Sequence, residues 1–126
     1  MKADELMIGD WVQGFVPDSY STIYGIFNEG RIAIIAEPSK TYIELSPEDV
    51  QPIPLTPEIL EKNGFALDRL GNYFPEDKRY DLEISEIEGD IYWTICWGDH
   101  SILRLRFVHE LQHCLRLVGI EKKIVL

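Results

Sequence analysis

Between Gln51 and Pro57 the chain reads Gln-Pro-Ile-Pro-Leu-Thr-Pro, with prolines at 52, 54 and 57. Proline fixes φ and lacks an amide hydrogen, so it fits neither a helix interior nor a central strand. No regular element can cross this passage, which also stiffens the connection it forms. The 126 residues are therefore divided into two short stretches, each of which must make its own secondary structure. We place the boundary between lobes within residues 51–57. The first lobe is expected over 1–55 and the second over 56–126, packed as one unit.

The first stretch reads as short strands separated by turn residues. Asp10–Val16 and Thr22–Phe27 are rich in aromatic and β-branched residues, which suit a pleated, half-buried surface. Asn28-Glu29-Gly30 supplies a tight turn, because Asn and Gly tolerate positive φ. Arg31–Glu37 alternates, Pro38-Ser39-Lys40 breaks it, and Thr41–Leu45 resumes. Ser46-Pro47-Glu48-Asp49 has the order of a capped helical turn, with Ser at the N-cap and Pro first inside. Val50–Ile53 is a fifth short strand. Five strands with one helical turn before the last is the layout of an SH3-like small β-barrel, and an open meander gives the same string.

The second stretch predicts helix, hairpin, helix. Thr56 caps, Pro57 opens and Asn63-Gly64 closes a helix over 57–62. Gly71, Asn72 and Pro75–Lys78 read as loop. Tyr80–Ile87 and Ile91–Trp97 alternate on either side of Glu88-Gly89-Asp90, predicting a hairpin within 80–97 with one strongly apolar face. A second, amphipathic helix is expected over 102–118. Phe107, Val108, Leu111, Cys114, Leu115 and Val118 share a stripe at the helical period, and Gly119 stops it. Ile120–Leu126 could pair as an edge strand. The fold class is α+β.

Composition removes several function classes. The formal net charge is −10, from 22 acidic and 12 basic side chains. Residues 1–56 hold 9 acids against 3 bases, and residues 57–100 hold 11 against 4. Only residues 101–126 are basic, with 5 bases against 2 acids. An acidic surface repels phosphate backbones, which argues against nucleic acid and anionic membranes as partners. No apolar run approaches the roughly 20 residues that span a bilayer. The opening Met-Lys-Ala-Asp-Glu-Leu-Met-Ile-Gly-Asp lacks the apolar core of a secretory leader, so the expected compartment is the cytoplasm. Cys96 and Cys114 are too few for a disulfide framework.

One chemical motif stands out. His109-Glu110-Leu111-Gln112-His113 has the HExxH spacing with which zinc peptidases place two histidines on one helix face and a glutamate beside the metal-bound water. Its candidate residues are His109 and His113 as ligands and Glu110 as the catalytic base. A catalytic zinc needs a third protein ligand. Arg116 and Gly119 occupy the positions that the extended motif fills with glycine and histidine, Glu121 lies past the helix stop, and His100 precedes the helix. Arg106 and Arg116 share the histidine face and disfavour a bound dication. The histidines also lie opposite the apolar stripe, which predicts ordinary surface residues and no cofactor. A zinc-dependent hydrolase is the alternative.

Other clusters carry less. Glu86, Glu88 and Asp90 gather at the hairpin tip, where carboxylates are expected to be solvated. Cys96 and Cys114 read as small buried hydrophobes. Arg104, Arg106, Arg116, Lys122 and Lys123 form a basic C-terminal piece, which could be a phosphate patch and is expected instead to lie against the protein's own acidic surface or to be a solvated helix face. Trp11, Phe15, Tyr20, Tyr24 and Phe27 are expected to fill the core of the first lobe, with a peptide groove as the other reading.

Ile53–Phe65 (IPLTPEILEKNGF), Leu105–Leu126 (LRFVHELQHCLRLVGIEKKIVL) and the opening ADELMIGDWV resemble a family of small uncharacterised proteins of gut Bacteroidales, some on prophage or other mobile elements. The resemblance covers both ends and the middle helix. That family has no established activity, so the resemblance implies no substrate and no site residue. With no catalytic set complete, the expected role is a non-enzymatic binding or accessory module acting through protein contacts. The charge of residues 57–100 adds a further alternative, an acidic nucleic-acid mimic or inhibitor.

Overall fold

The computed structural model describes residues 5–14, 20–27, 30–36, 40–76, 82–87, 92–97, 100–120 and 122–126, with backbone alone for 86, 87, 92, 97 and 100–103. The chain forms two compact units, Met1–Ile53 and Pro54–Leu126. Both are built mainly of antiparallel strands. No helix among the described residues is long and apolar enough to cross a membrane.

The first unit is a four-stranded meander of β1 (Trp11–Gln13), β2 (Tyr20–Ile26), β3 (Ile32–Ala36) and β4 (Thr41–Leu45). Alternation sends Val12, Ile23, Ile32, Ile34 and Leu45 to one face, where they pack with Leu6, Val50 and the flanking Ile43. That core is aliphatic. Asp10 is fully buried beside it. Its carboxylate accepts from the Met7 amide at 2.8 Å while its carbonyl accepts from Ile23 N at 2.9 Å, so one acid both closes a turn and anchors β2.

After β4 a single 3-10 turn, Pro47–Asp49, redirects the chain. Ser46 precedes it without a side-chain capping bond, so proline rather than the hydroxyl sets the turn. Gln51 then bridges back to β1, Gln13 and Gln51 exchanging both backbone hydrogen bonds at 2.9 Å. Among the described residues this bridge is isolated and no closed barrel forms.

The second unit opens with α1 (Pro57–Lys62), whose Thr56 side chain accepts from Ile59 N at 3.3 Å. A five-stranded antiparallel sheet follows: β5 (Phe65–Leu67), β6 (Asn72–Pro75), β7 (Leu82–Ile87), β8 (Tyr92–Trp97) and β9 (His100–Leu105). The last element is α2 (Val108–Leu117). Leu82, Ile84, Trp93, Ile95 and Leu105 are buried, as are Val108, Leu111, Cys114 and Leu115 of α2. The Trp93 indole N–H donates to the Leu55 carbonyl at 3.1 Å, which satisfies its polar atom within the core.

Three expectations for this unit are corrected. The helix expected over 102–118 is shorter, because residues 100–105 pair with β8 in the register Trp97 with His100, Ile95 with Leu103 and Trp93 with Leu105. Two residues separate these strands, a length that selects a hairpin, and pairing with β8 leaves Leu105 buried and Arg104 exposed. The stretch around Asn72, read as loop, is strand β6. Asp68 makes this possible: its carboxylate accepts from Leu70 N at 2.8 Å and Asn72 N at 2.9 Å, tying a turn between β5 and β6. Finally, residues 122–126 form no strand. Instead the Asn63 amide donates to Val125 O at 2.8 Å and accepts from Val125 N at 2.7 Å, doing with one side chain what a neighbouring strand would do.

Candidate functional site

In the first unit the side of the sheet away from the aliphatic core carries aromatic residues. A bulge between Ile23 and Gly25 gives β2 an extra residue, Tyr24, and turns its ring toward β4. On β3 Ile35 stands opposite Thr22 on one side and Tyr42 on the other. Tyr24 and Tyr42 meet edge to face, centroids 5.7 Å apart and planes at 83°. They are 57% and 51% exposed, so the pair forms an open right-angled corner rather than a filled core.

The next row of the same face is Gly25, Ala33 and Glu44. A Cβ on Gly25 would stand 3.3 Å from the Phe27 ring, so a larger residue here would have to push that exposed ring aside by a few tenths of an ångström. Arg31 Nε donates to Glu44 Oε1 at 2.9 Å, with both side chains about half exposed (51% and 48%). The expectation that aromatics fill this core is thereby corrected. Trp11 is buried, but Tyr20, Tyr24 and Phe27 are exposed, and Phe15 lies outside the described residues. Isoleucine and valine already fill the space between strands. Tyr42 was not among the residues singled out in the sequence. Counting the alternation of Thr41–Leu45 against Arg31–Glu37 places it opposite Ile35, and the β2 bulge that brings Tyr24 to it has no signal in the sequence.

In the second unit α2 holds the HExxH residues. Phe107 precedes the helix and has no oxygen with which to cap it. Glu110 does so instead: its Oε1 accepts from Arg106 N at 2.9 Å and Phe107 N at 3.0 Å. The glutamate of the motif is thus committed to the helix start, where its charge also favours the positive end of the helix dipole. His109 is not a surface residue as expected; it is 6% exposed, and Gln112 is buried beside it. The His109 ring stacks on Phe107 (5.9 Å, 10°) and meets the half-buried His113 edge-on (5.6 Å, 75°), while the Arg106 guanidinium covers Phe107 at 5.6 Å. Burial therefore extends past the apolar stripe on the first two turns. It stops at Arg116, which is exposed.

This is a stacked aromatic column under a cation. Among the described residues no group of three or more His, Cys, Asp or Glu side chains is placed to hold a metal ion. The His100 side chain and Glu121 lie outside what is described.

The remaining candidates are scattered. The basic residues do not share a helix face: Arg104 is on β9, Arg116 on α2, and Lys122 covers the Phe65 ring at 5.8 Å. Cys114 is buried, and burial raises its thiol above the ordinary 9.0, but Cys96 is only half-buried, contrary to expectation. Glu88 and Asp90 lie outside the described residues, as does the side chain of Glu86. Asp77, Asp81 and Asp99, which would belong to an acidic mimic surface, lie outside them as well. Compared with known protein families, curated proteins and solved structures, the chain matches none.

Proposed function

We propose that the protein is a non-enzymatic binding module whose first unit docks an extended segment of a partner protein on the Tyr24–Tyr42 face. The observation that carries this reading is the exposure of two tyrosines held edge to face by strand register. Rigid aromatic rings offer large contact area at little cost in conformational entropy, which is why they dominate protein interfaces. Exposed aromatic residues beside a sheet edge, as on β4, suit capture of an extended peptide. We also read the unit as an SH3-like small barrel. The meander order, the 3-10 turn after β4 and the return of Gln51 to β1 support that reading. The commitment of Glu110 to helix capping supports a binding role over zinc-dependent hydrolysis.

Selection of random displayed peptides against the intact chain, counter-selected on the Tyr24→Ser/Tyr42→Ser variant, tests the proposal. Enriched peptides should bind the wild-type protein and lose at least about tenfold in affinity on the variant, as removal of two interface anchors requires. Enrichment of nothing, or of peptides that bind both proteins equally, would overturn it.

A further inference from the structure

The tyrosine corner belongs to a stretch of chain rich in acids, and that combination specifies more than a protein partner. Resting on the docking reading above, we infer that the Tyr24–Tyr42 corner is a receptor for a cationic side chain, arginine before lysine, carried on the docked segment. Three observations converge.

The first is ring geometry. Two tyrosines at 83° and 5.7 Å set the edge of one ring against a face of the other, and at 57% and 51% exposure the remaining ring surface is open to a cation, which is attracted to an aromatic face within about 6 Å of its centroid. Elsewhere in the chain cations do cover rings, Arg106 over Phe107 at 5.6 Å and Lys122 over Phe65 at 5.8 Å. The second is charge. Residues 1–53 hold 9 acids and 3 bases, a field that attracts basic segments and repels acidic ones. The third is the Arg31–Glu44 pair, which shows this face already holding one guanidinium against a carboxylate at 2.9 Å, two residues along β4 from Tyr42. Arginine is favoured because its planar guanidinium stacks on rings and is less strongly hydrated than an ammonium. A segment with arginines at alternate positions would direct them all to one face of the sheet, since successive side chains of an extended chain point to opposite sides.

The test is titration of the uniformly 15N-labelled full chain with a blocked heptapeptide that alternates arginine with valine and serine. A parallel titration uses the peptide in which glutamine replaces every arginine. The arginine peptide should shift the amides around Tyr24, Ile35 and Tyr42, and the glutamine peptide should not. Tyr24→Leu/Tyr42→Leu keeps apolar volume while removing the ring faces, and it should weaken binding about tenfold. The variant's own amide spectrum, dispersed as in the wild type, verifies that it folds. Glu44→Gln should weaken binding by a smaller factor. Equal shifts from both peptides would overturn the cation inference and leave the docking reading standing. Unchanged affinity in the leucine variant would place binding elsewhere and overturn the inference. Absence of shifts at this face from either peptide, together with failure of the display selection, would overturn both.

Discussion

Glu110 illustrates how a residue can satisfy a catalytic pattern while doing structural work. Its carboxylate reaches back to hold the amides of Arg106 and Phe107, the half of a capping box that the N3 acid supplies. Glu110→Ala should therefore destabilise the protein by about 1 kcal/mol in urea unfolding, the usual loss for a helix cap. Glu110→Gln, which keeps an acceptor oxygen, should retain most of that stability. A residue committed to zinc chemistry would show neither effect. Cys114 gives a second prediction. Burial favours its neutral thiol, so the folded-state pKa lies above the unfolded value of 9.0. With the sign worked out, the unfolded chain releases this proton first, and the contribution of Cys114 to stability falls as pH rises through 9.0 toward the folded pKa. Chemical unfolding at a series of pH values should show Cys114→Ala declining less steeply above pH 9.0 than the wild type, and parallel slopes would refute the assignment. Below that pH the variant should be the less stable of the two, because it leaves a small cavity.

At the scale of elements, local chemistry placed what it controls and missed what pairing controls. Thr41–Leu45, Pro47–Asp49 and Pro57–Lys62 lie where alternation, proline and the Thr56 cap put them. Residues 100–105 and 72–75 do not, because a run such as Ile102, Leu103 and Leu105 suits helix or strand equally well. The decision rests with pairing to the adjacent strand, β8 or β7, which the run's own composition does not report. The burial of His109 was invisible for the same reason: a helical wheel reports one face, and burial here extends past it on two turns only. Asn63 is the sharpest case. A residue expected merely to end α1 is buried, with its amide donating to Ile59 O and clamping the Val125 backbone on both sides. Asn63→Ala leaves those partners in a part-buried site, and each lost bond weakens the fold by about 1 kcal/mol. We expect about 3 kcal/mol of destabilisation from the three lost bonds, with hydrogen exchange accelerated most at the Val125 amide. Loss of stability without faster exchange at Val125 would show that the clamp is not the cause.

At the scale of the whole molecule, charge is the property read most directly from composition, and it bears on kinetics more than on fold. A net charge of −10 draws a basic segment toward the protein over distances of order the Debye length, about 10 Å at 0.1 M salt and 3 Å at 1 M. The contact itself is a different matter. Once a guanidinium is seated against the exposed tyrosine rings, the attraction acts at short range and is far less screened. Salt should therefore act mainly on association. For the arginine heptapeptide, NMR line-shape analysis should show the association rate falling about tenfold between 0.02 and 0.5 M salt, within the range typical of electrostatic steering. The dissociation rate should change by less than about threefold, since screening acts on approach more than on the seated contact. The leucine variant should behave in the opposite way, with unchanged association and faster dissociation, because it keeps the charge and loses the rings. An association rate indifferent to salt would mean that the acidic field plays no part in capture. A dissociation rate that rises steeply with salt would mean that the segment is held by exposed ion pairs rather than by the tyrosine corner.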